Sequence, residues 1–295
     1  MHTNTRILAH EFVYHEPQTL PEALALLNQY KPGIKVLAGG TDVLAKMKRN
    51  HFACEHLMYI KSIKELDFID TSAGLKIGAA TLLSDLEKSD ELRKNYRALH
   101  EAIKSIGAIA IRNMATMGGN VCNAAPPADT VPPLLTFNAQ LKLVSQKGER
   151  VVPLNQFIVG KEKTIIEPDE LLHSFELPAP EAGFDSTFVK LGRVSVDTAR
   201  INLALVANFD RSSKVIKEGR VAIGAVGTKA YRCPDTEALF SGKKADQELA
   251  TAVAESLARV CDAAIPGRYS LPYKREAIKK LAYQAFNQLF DLSLV

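Results

Sequence analysis

Cysteine is scarce in this chain. Cys54, Cys122, Cys233 and Cys261 are the only four in 295 residues, and none forms a CxxC or CxxxxC pair with another. That spacing excludes a zinc finger and an iron–sulfur cluster held by a local cysteine run. Each thiol reads instead as a small buried hydrophobe, and unpatterned cysteine suits a reducing cytoplasm. Long apolar runs are missing too. No stretch approaches the ~20 residues needed to span a bilayer, and Met1–His10 has no apolar core of a secretion signal. A cytoplasmic chain without a membrane span is therefore expected.

Neither sign of charge is in excess. The formal net charge is +4, with 37 Lys and Arg interleaved among 33 Asp and Glu. The densest basic run, Lys46-Met47-Lys48-Arg49, lacks the aromatic interleaving of a single-strand binder, so no nucleic-acid partner is expected. GxGxxG and GxxxxGK[ST] are absent as well, which argues against a Rossmann NAD site and a P-loop. His51, His56, His100 and His173 read as surface or strand residues rather than acid–base catalysts. What remains is 46% hydrophobic residues in a length that allows one large or two to three small domains.

The first third alternates helix and strand signals. Thr19-Leu20-Pro21-Glu22 is a capping box with an early proline, opening a helix to about Tyr30. Ile34–Ala38 is a strand, Thr41-Asp42 caps a helix to about Arg49, and Leu57–Ile60 and Leu75–Ala79 are further strands. A helix from Thr81 or Ser84 carries Leu82, Leu83, Leu86 and Leu92 on one face, and another runs from about Tyr96 to Ser105. A small-residue loop then ends in Gly118-Gly119-Asn120. From Gln140 the period becomes two, with Leu141 and Leu143 facing Val151-Val152 across a Lys147-Gly148 turn. Leu171–Leu177 is a strand stopped by Pro178–Gly183, the best domain boundary in the chain. Beyond it stand strands at Thr187–Leu191, Asn202–Phe209 and Arg220–Val226, then helices at Asp246–Ala264 and Tyr273–Leu289. The early rhythm indicates α/β layers, and strands followed by helices indicate a small α+β domain.

Two glycine loops carry the chemistry. In Val36-Leu37-Ala38-Gly39-Gly40-Thr41-Asp42 a strand stops at paired glycines and restarts as a helix. Glycines permit positive φ and a close backbone approach, and the helix start adds donors for a phosphate. Ala115-Thr116-Met117-Gly118-Gly119-Asn120, about 80 residues later, offers the same with a hydroxyl and an amide. Together they could hold the two phosphates of a dinucleotide. Spacing alone does not separate that reading from two ordinary Gly-Gly turns.

Ala38–Asp42, then Ile77-Gly78-Ala79-Ala80-Thr81, then Ile111-Arg112-Asn113 leading into Thr116–Ala124, resemble the FAD subunit of molybdenum hydroxylases. That family includes the flavin-binding part of xanthine dehydrogenase and the medium subunit of carbon monoxide dehydrogenase. The likeness continues through Pro126–Pro133 and into Phe188–Arg193, with Asp197 and Ala199. The resemblance implies an α+β chain: a PCMH-like FAD-binding domain over residues 1–178, built of two α/β subdomains (about 1–60 and about 61–178), then a C-terminal domain over 184–295 with an antiparallel sheet plus helices.

The resemblance also implies residues. Lys35, Val36, Leu37, Ala38, Gly39, Gly40, Thr41 and Asp42, with Thr116, Gly118, Gly119 and Asn120, would form the shell around the FAD pyrophosphate. Ile106, Gly107, Ile111, Ala115, Ala128 and Leu172 fall at further cofactor positions. Asp129 matches a position on the adenosine side; read from the residues alone, it could equally be a helix N-cap. Lys190 matches a lysine near the isoalloxazine, where a cation would favour negative charge at the N1–C2=O edge. Without the resemblance it reads as a solvated strand residue. Relatives often carry Ser-Pro-Gln where this chain has Ala108-Ile109-Ala110, so the electron acceptor is left open.

The function so implied is electron transfer. A large molybdopterin subunit oxidises substrate, a small [2Fe–2S] subunit relays electrons to FAD here, and NAD, ferredoxin or a quinone accepts them. The complex could itself dimerise. Its rivals are a stand-alone FAD oxidoreductase of the same superfamily and a non-enzymatic assembly protein that has lost FAD.

Overall fold

The computed structural model describes Leu8 and residues 10–294, so the Met1–His10 stretch lies mostly outside the described residues. Helix α1 (Leu20–Tyr30) begins as the capping box requires: the Thr19 hydroxyl accepts from the Glu22 N–H. The Glu22 carboxylate accepts in turn from the N–H of Gln18, one residue earlier than the motif anticipates. Ala23, Leu24 and Leu27 of α1 pack on a three-stranded parallel sheet. Its strands β1 (Val13–His15), β2 (Ile34–Leu37) and β3 (His56–Tyr59) lie in the order β1-β3-β2. Parallel neighbours need a crossover. Helix α2 (Val43–Lys48) lies within the β2-to-β3 connection and sets Met47 against Leu37 and Leu57.

The second sheet is antiparallel throughout. It is made of β4 (Ile69–Asp70), β5 (Leu75–Gly78), β6 (Gln140–Ser145), β7 (Gly148–Pro153) and β10 (Leu171–Leu177), with β8 (Ile158–Gly160) and β9 (Lys163–Thr164) forming a separate hairpin. Its order is β4-β5-β10-β6-β7. Between β5 and β6 the chain leaves to form six short helices: α3 (Leu83–Lys88), α4 (Asp90–Asn95), α5 (Arg97–Lys104), α6 (Ile109–Arg112), α7 (Met117–Cys122) and α8 (Val131–Thr136). A one-turn helix α9 (Leu154–Phe157) follows β7.

Two sequence expectations change here. The single helix expected after Thr81 is two helices, because the Ser89 hydroxyl accepts from the Leu92 N–H and caps a new start. A serine that can bond its local backbone competes with helix continuation. The Gly118-Gly119 segment is not a loop but the first turn of α7, capped by Thr116, whose hydroxyl accepts from the Gly119 N–H at 3.0 Å.

After Pro178–Gly183 a third sheet forms from β11 (Phe184–Leu191), β12 (Ile201–Phe209), β13 (Ile216–Gly224) and β14 (Tyr231–Arg232), antiparallel and in sequence order. Phe188, Ala204, Val206 and Ala222 pack against α5 and α8 of the preceding part. The opposite face is covered by α11 (Gln247–Ala264) and α12 (Leu271–Phe290), which follow the one-turn α10 (Pro234–Glu237). Burial on both faces explains why β12 reads as an almost continuous apolar run.

Candidate functional site

The two glycine loops meet across a cleft of about 830 Å³, toward the upper end of the ~300–1,000 Å³ range of small-molecule sites. Its walls come from β2 and α2, from residues 106–129, from residues 162–172, and from the β11–β12 loop at Val196, Asp197 and Thr198. Of the residues expected to hold a cofactor, Lys35, Val36, Ala38, Gly39, Gly40, Thr41, Asp42, Ile106, Gly107, Ile111, Ala115, Thr116, Gly118, Gly119, Asn120, Ala128, Asp129 and Leu172 all line it. Leu37 does not. It points into the cluster with Met47 and Leu57 and serves packing.

Contact between the loops requires Gly39. A Cβ there would stand 2.1 Å from the carbonyl oxygen of Met114 and 2.7 Å from the Cα of Ala115. Gly40 follows with φ +74°, a conformation open mainly to glycine. Among the described residues, the backbone N–H groups of Gly39, Gly40, Thr41 and Asp42 have no hydrogen-bond acceptor within the protein. Four donors at a cleft wall are what a phosphate needs.

The second loop works differently from the expectation. Neither Gly118 nor Gly119 has positive φ. The Met117 N–H goes to the Thr81 carbonyl, that of Gly118 to the Ala79 carbonyl at 2.9 Å, and that of Gly119 to the Thr116 hydroxyl. Those donors are spent on the fold. What the segment offers is the bare, exposed Gly119 backbone and the amide of Asn120. The Asn120 Oδ1 accepts from Thr130 Oγ1 at 2.6 Å, which leaves its NH₂ group for the cleft.

Asp129 is not a helix cap; Thr130 occupies that position before α8. Its carboxylate is buried, with Oδ2 accepting from Lys190 Nζ at 3.0 Å and Oδ1 from Asn202 Nδ2 at 2.6 Å. Burial pushes its pKa above the ordinary carboxylate value, opposed by Lys190 and Asn202. Lys190 is a second correction. It is neither solvated nor a lining residue, because the carbonyls of Ser105 and Asp197, together with Asp129, hold its ammonium beneath the surface.

Arg112 is buried and shapes one wall. It grips Glu87 with two nitrogens and donates to the carbonyls of Ile106 and Gly107 at 3.2 and 3.0 Å, fixing the turn where Gly107 has φ +51°. On the outer side of that wall Ile109 and Met114 are 67% and 50% exposed. Val194 and Val196 of the β11–β12 loop are similarly open, at 59% and 51%. Cys122 lines the cleft, but burial pushes its thiol up to about 12, far from a reactive thiolate.

Sequence reading missed the wall formed by Glu162, Thr164, Ile166, Glu167 and Glu170, as well as Lys46, His51 and Asn123. Lys46 donates to Asn123 at 2.7 Å and pairs with Glu162 at 3.3 Å, tying α2 to α7 and to the β8–β9 turn. Lys46 stands four residues after Asp42, one helical turn on, and that spacing was the available signal. Glu162 sits at φ +57°, which nothing in its identity announces.

A family model described as the FAD binding domain in molybdopterin dehydrogenase matches residues 10–180, and one for the CO dehydrogenase flavoprotein C-terminal domain matches residues 186–289. The chain is 34% identical to the xanthine dehydrogenase FAD-binding subunit of Escherichia coli O157:H7, over 83% of this chain and 84% of that protein. It is 29% identical to the glyceraldehyde dehydrogenase medium chain of Sulfolobus acidocaldarius, over 95% and 98%. Among solved structures, a chain of carbon monoxide dehydrogenase from Hydrogenophaga pseudoflava superposes with TM-score 0.90 and 30% identity, covering 97% of this chain and 99% of that one.

Proposed function

The chain belongs to the FAD-binding flavoprotein family of the molybdopterin dehydrogenases, and from that membership we propose that it is the electron-transfer subunit of a molybdenum hydroxylase complex. The observation that carries this reading is the cleft with four unspent backbone donors at Gly39–Asp42. Those donors would hold the FAD pyrophosphate from one side, with the Asn120 amide and the bare Gly119 backbone at the second segment. FAD, when bound, supplies one-electron exchange on one side and two-electron exchange on the other. The residues of this chain bind and orient it. Asp129 presents a fixed acceptor, and Arg112 holds the Ile106–Gly107 wall.

In this reading the chain receives electrons from a small [2Fe–2S] subunit. A large molybdopterin subunit oxidises the substrate, and NAD, ferredoxin or a quinone takes the electrons away. Ile109 and Met114 beside the cleft are the exposed apolar surface on which the small subunit would sit. We place the domains at 1–178 and 184–295, supported by the change of sheet across Pro178–Gly183. A cytoplasmic setting is supported by the four unpaired thiols, and no helix among the described residues is long and apolar enough to cross a membrane.

Purified chain should be yellow and should release FAD, not a covalent flavin, on denaturation. A colourless protein that leaves added FAD unquenched in a fluorescence titration would overturn the assignment.

A further inference from the structure

We propose that Asn202 is a positioning residue for the cofactor cleft: from the C-terminal domain it fixes the Asp129 carboxylate as an ionised acceptor for an N–H or O–H of the bound cofactor. The inference rests on the reading of the cleft as an FAD site.

Lys190 and Asn202 are directly opposed partners of the β11–β12 ladder. Opposed residues present their side chains on the same face of a sheet. One ammonium and one amide therefore stand side by side, each holding a different oxygen of Asp129. Lys190 neutralises the carboxylate through Oδ2 and leaves Oδ1 to another donor. The second donor fixes the plane of the group.

Two costs show that this placement is not incidental packing. Asn202 is fully buried and its Oδ1 has no hydrogen-bond partner. Such an orphan costs stability and calls for an explanation. Turning the amide over would not help, since Oδ1 would then face the carboxylate oxygen. The second cost falls on the opposite neighbour. Asn202 is also paired with Gly224 across the β12–β13 ladder, where a Cβ would stand 2.4 Å from Asn202 Oδ1. The last residue of β13 is thus kept as glycine, which makes room for an amide that a small apolar residue would replace without an orphan.

Among the described residues Lys190 is the charged side chain that faces Asp129, and the Ser105 hydroxyl is a further polar group beside the carboxylate. From α5 and its C-cap comes the Ser105 carbonyl, held by Lys190; from the β11–β12 loop comes the Asp197 carbonyl, while the Asp197 carboxylate is occupied by Arg193 at 2.8 Å. Removing the Asn202 donor leaves the Lys190 ion pair and the Ser105 hydroxyl to oppose burial, and the carboxyl takes up a proton at higher pH than before. A protonated Asp129 is a poorer acceptor for the cofactor.

The test is FAD binding by the purified full-length chain between about pH 4.5 and 8, with melting temperature recorded alongside. The proteins compared are wild type, Asn202→Leu, Asn202→Ser and Asp129→Asn. Both Asn202 variants should bind FAD roughly tenfold or more weakly at the acid end, and the pH at which affinity falls should move up by about one unit. Asp129→Asn should bind weakly with no such pH dependence. Asn202→Ser, smaller than asparagine and forced into no new contact, keeps the experiment readable if the leucine variant does not fold. Asn202 variants that lose melting temperature but fall with the wild-type pH midpoint would make the residue merely structural and end the proposal. Wild type that binds no FAD at all would instead end the reading of the cleft.

Discussion

Gly118 and Gly119 are neighbours with opposite reasons to lack a side chain. A Cβ on Gly118 would stand 2.6 Å from the Ala79 carbonyl oxygen and 2.8 Å from the Ala79 Cβ, so it is required by the seam between α7 and the end of β5. On Gly119 the one close atom is the Thr116 hydroxyl at 2.9 Å, the movable end of a side chain. The two alanine variants should therefore separate fold from ligand. Gly118→Ala should lose ~1–3 kcal/mol of stability through overpacking against backbone. Gly119→Ala should melt close to wild type, since alanine favours a helical position by ~1 kcal/mol over glycine and that gain offsets the disturbed cap. Its loss should appear in FAD affinity, because the added methyl lies on the cleft wall. Thermal denaturation and FAD titration on the same samples check both; equal melting temperatures for the two variants would refute the division.

At the scale of elements, α1, the β6–β7 turn and the approach to β10 are joined by a clasp of three charges. Asp169, in the lead-in to β10, accepts from Lys31 after α1 at 2.8 Å and from Lys147 in the β6–β7 turn at 2.7 Å. The bond from Lys147, then that from Lys31, holds its carboxyl well below the ordinary carboxylate range. A depressed folded-state pKa contributes stability above the unfolded value, and that contribution is lost as pH falls toward the folded one. Asp169→Asn should thus melt below wild type at pH 7, with the two curves converging below about pH 4. A gap that stayed constant down to pH 3 would mean the carboxylate charge is not the cause. Elements of this kind divide what was legible in the sequence from what was not. α1, the β6–β7 hairpin and β10 were readable because capping, period two and a proline stop are local signals. The break at Ser89 was missed because its cap is a local choice between helix continuation and a side-chain bond, and the helical turn at Gly118 because it depends on backbone partners from Ala79 and Thr81. The wall at 162–170 was invisible for the same reason: the Glu162 N–H bonds the Ala124 carbonyl, 38 positions back in the chain, and both residues sit at positive φ. Resemblance to the family supplied 18 of the lining residues, but could not say that Lys190 would be buried behind Asp129.

For the molecule as a whole, the cleft has binding parts without an evident oxidising centre for substrate. The cysteines stand at 54, 122, 233 and 261, two buried in the C-terminal core and two half-buried, and none forms a CxxC or CxxxxC pair. Among the described residues no three His, Cys, Asp or Glu side chains converge as metal ligands. In the proposed reading the cleft supplies acceptors and donors for FAD, and partner chains carry the oxidising centre. The isolated, FAD-loaded protein should be bleached by dithionite yet should not dehydrogenate purines, aldehydes or nicotinate. Purification from the native source should bring down a small cysteine-rich subunit and at least one large one. Ile109→Glu, on the exposed apolar surface beside the cleft, should leave FAD binding within about twofold, since that side chain does not line the cleft, while weakening recovery of the small subunit by tenfold or more, the scale expected when a charge is buried in an apolar contact. If the isolated chain oxidised such a substrate at the rate of the native assembly, the electron-transfer assignment would give way to a stand-alone oxidoreductase. Undiminished co-purification of the small subunit with Ile109→Glu would move the docking surface elsewhere on the molecule.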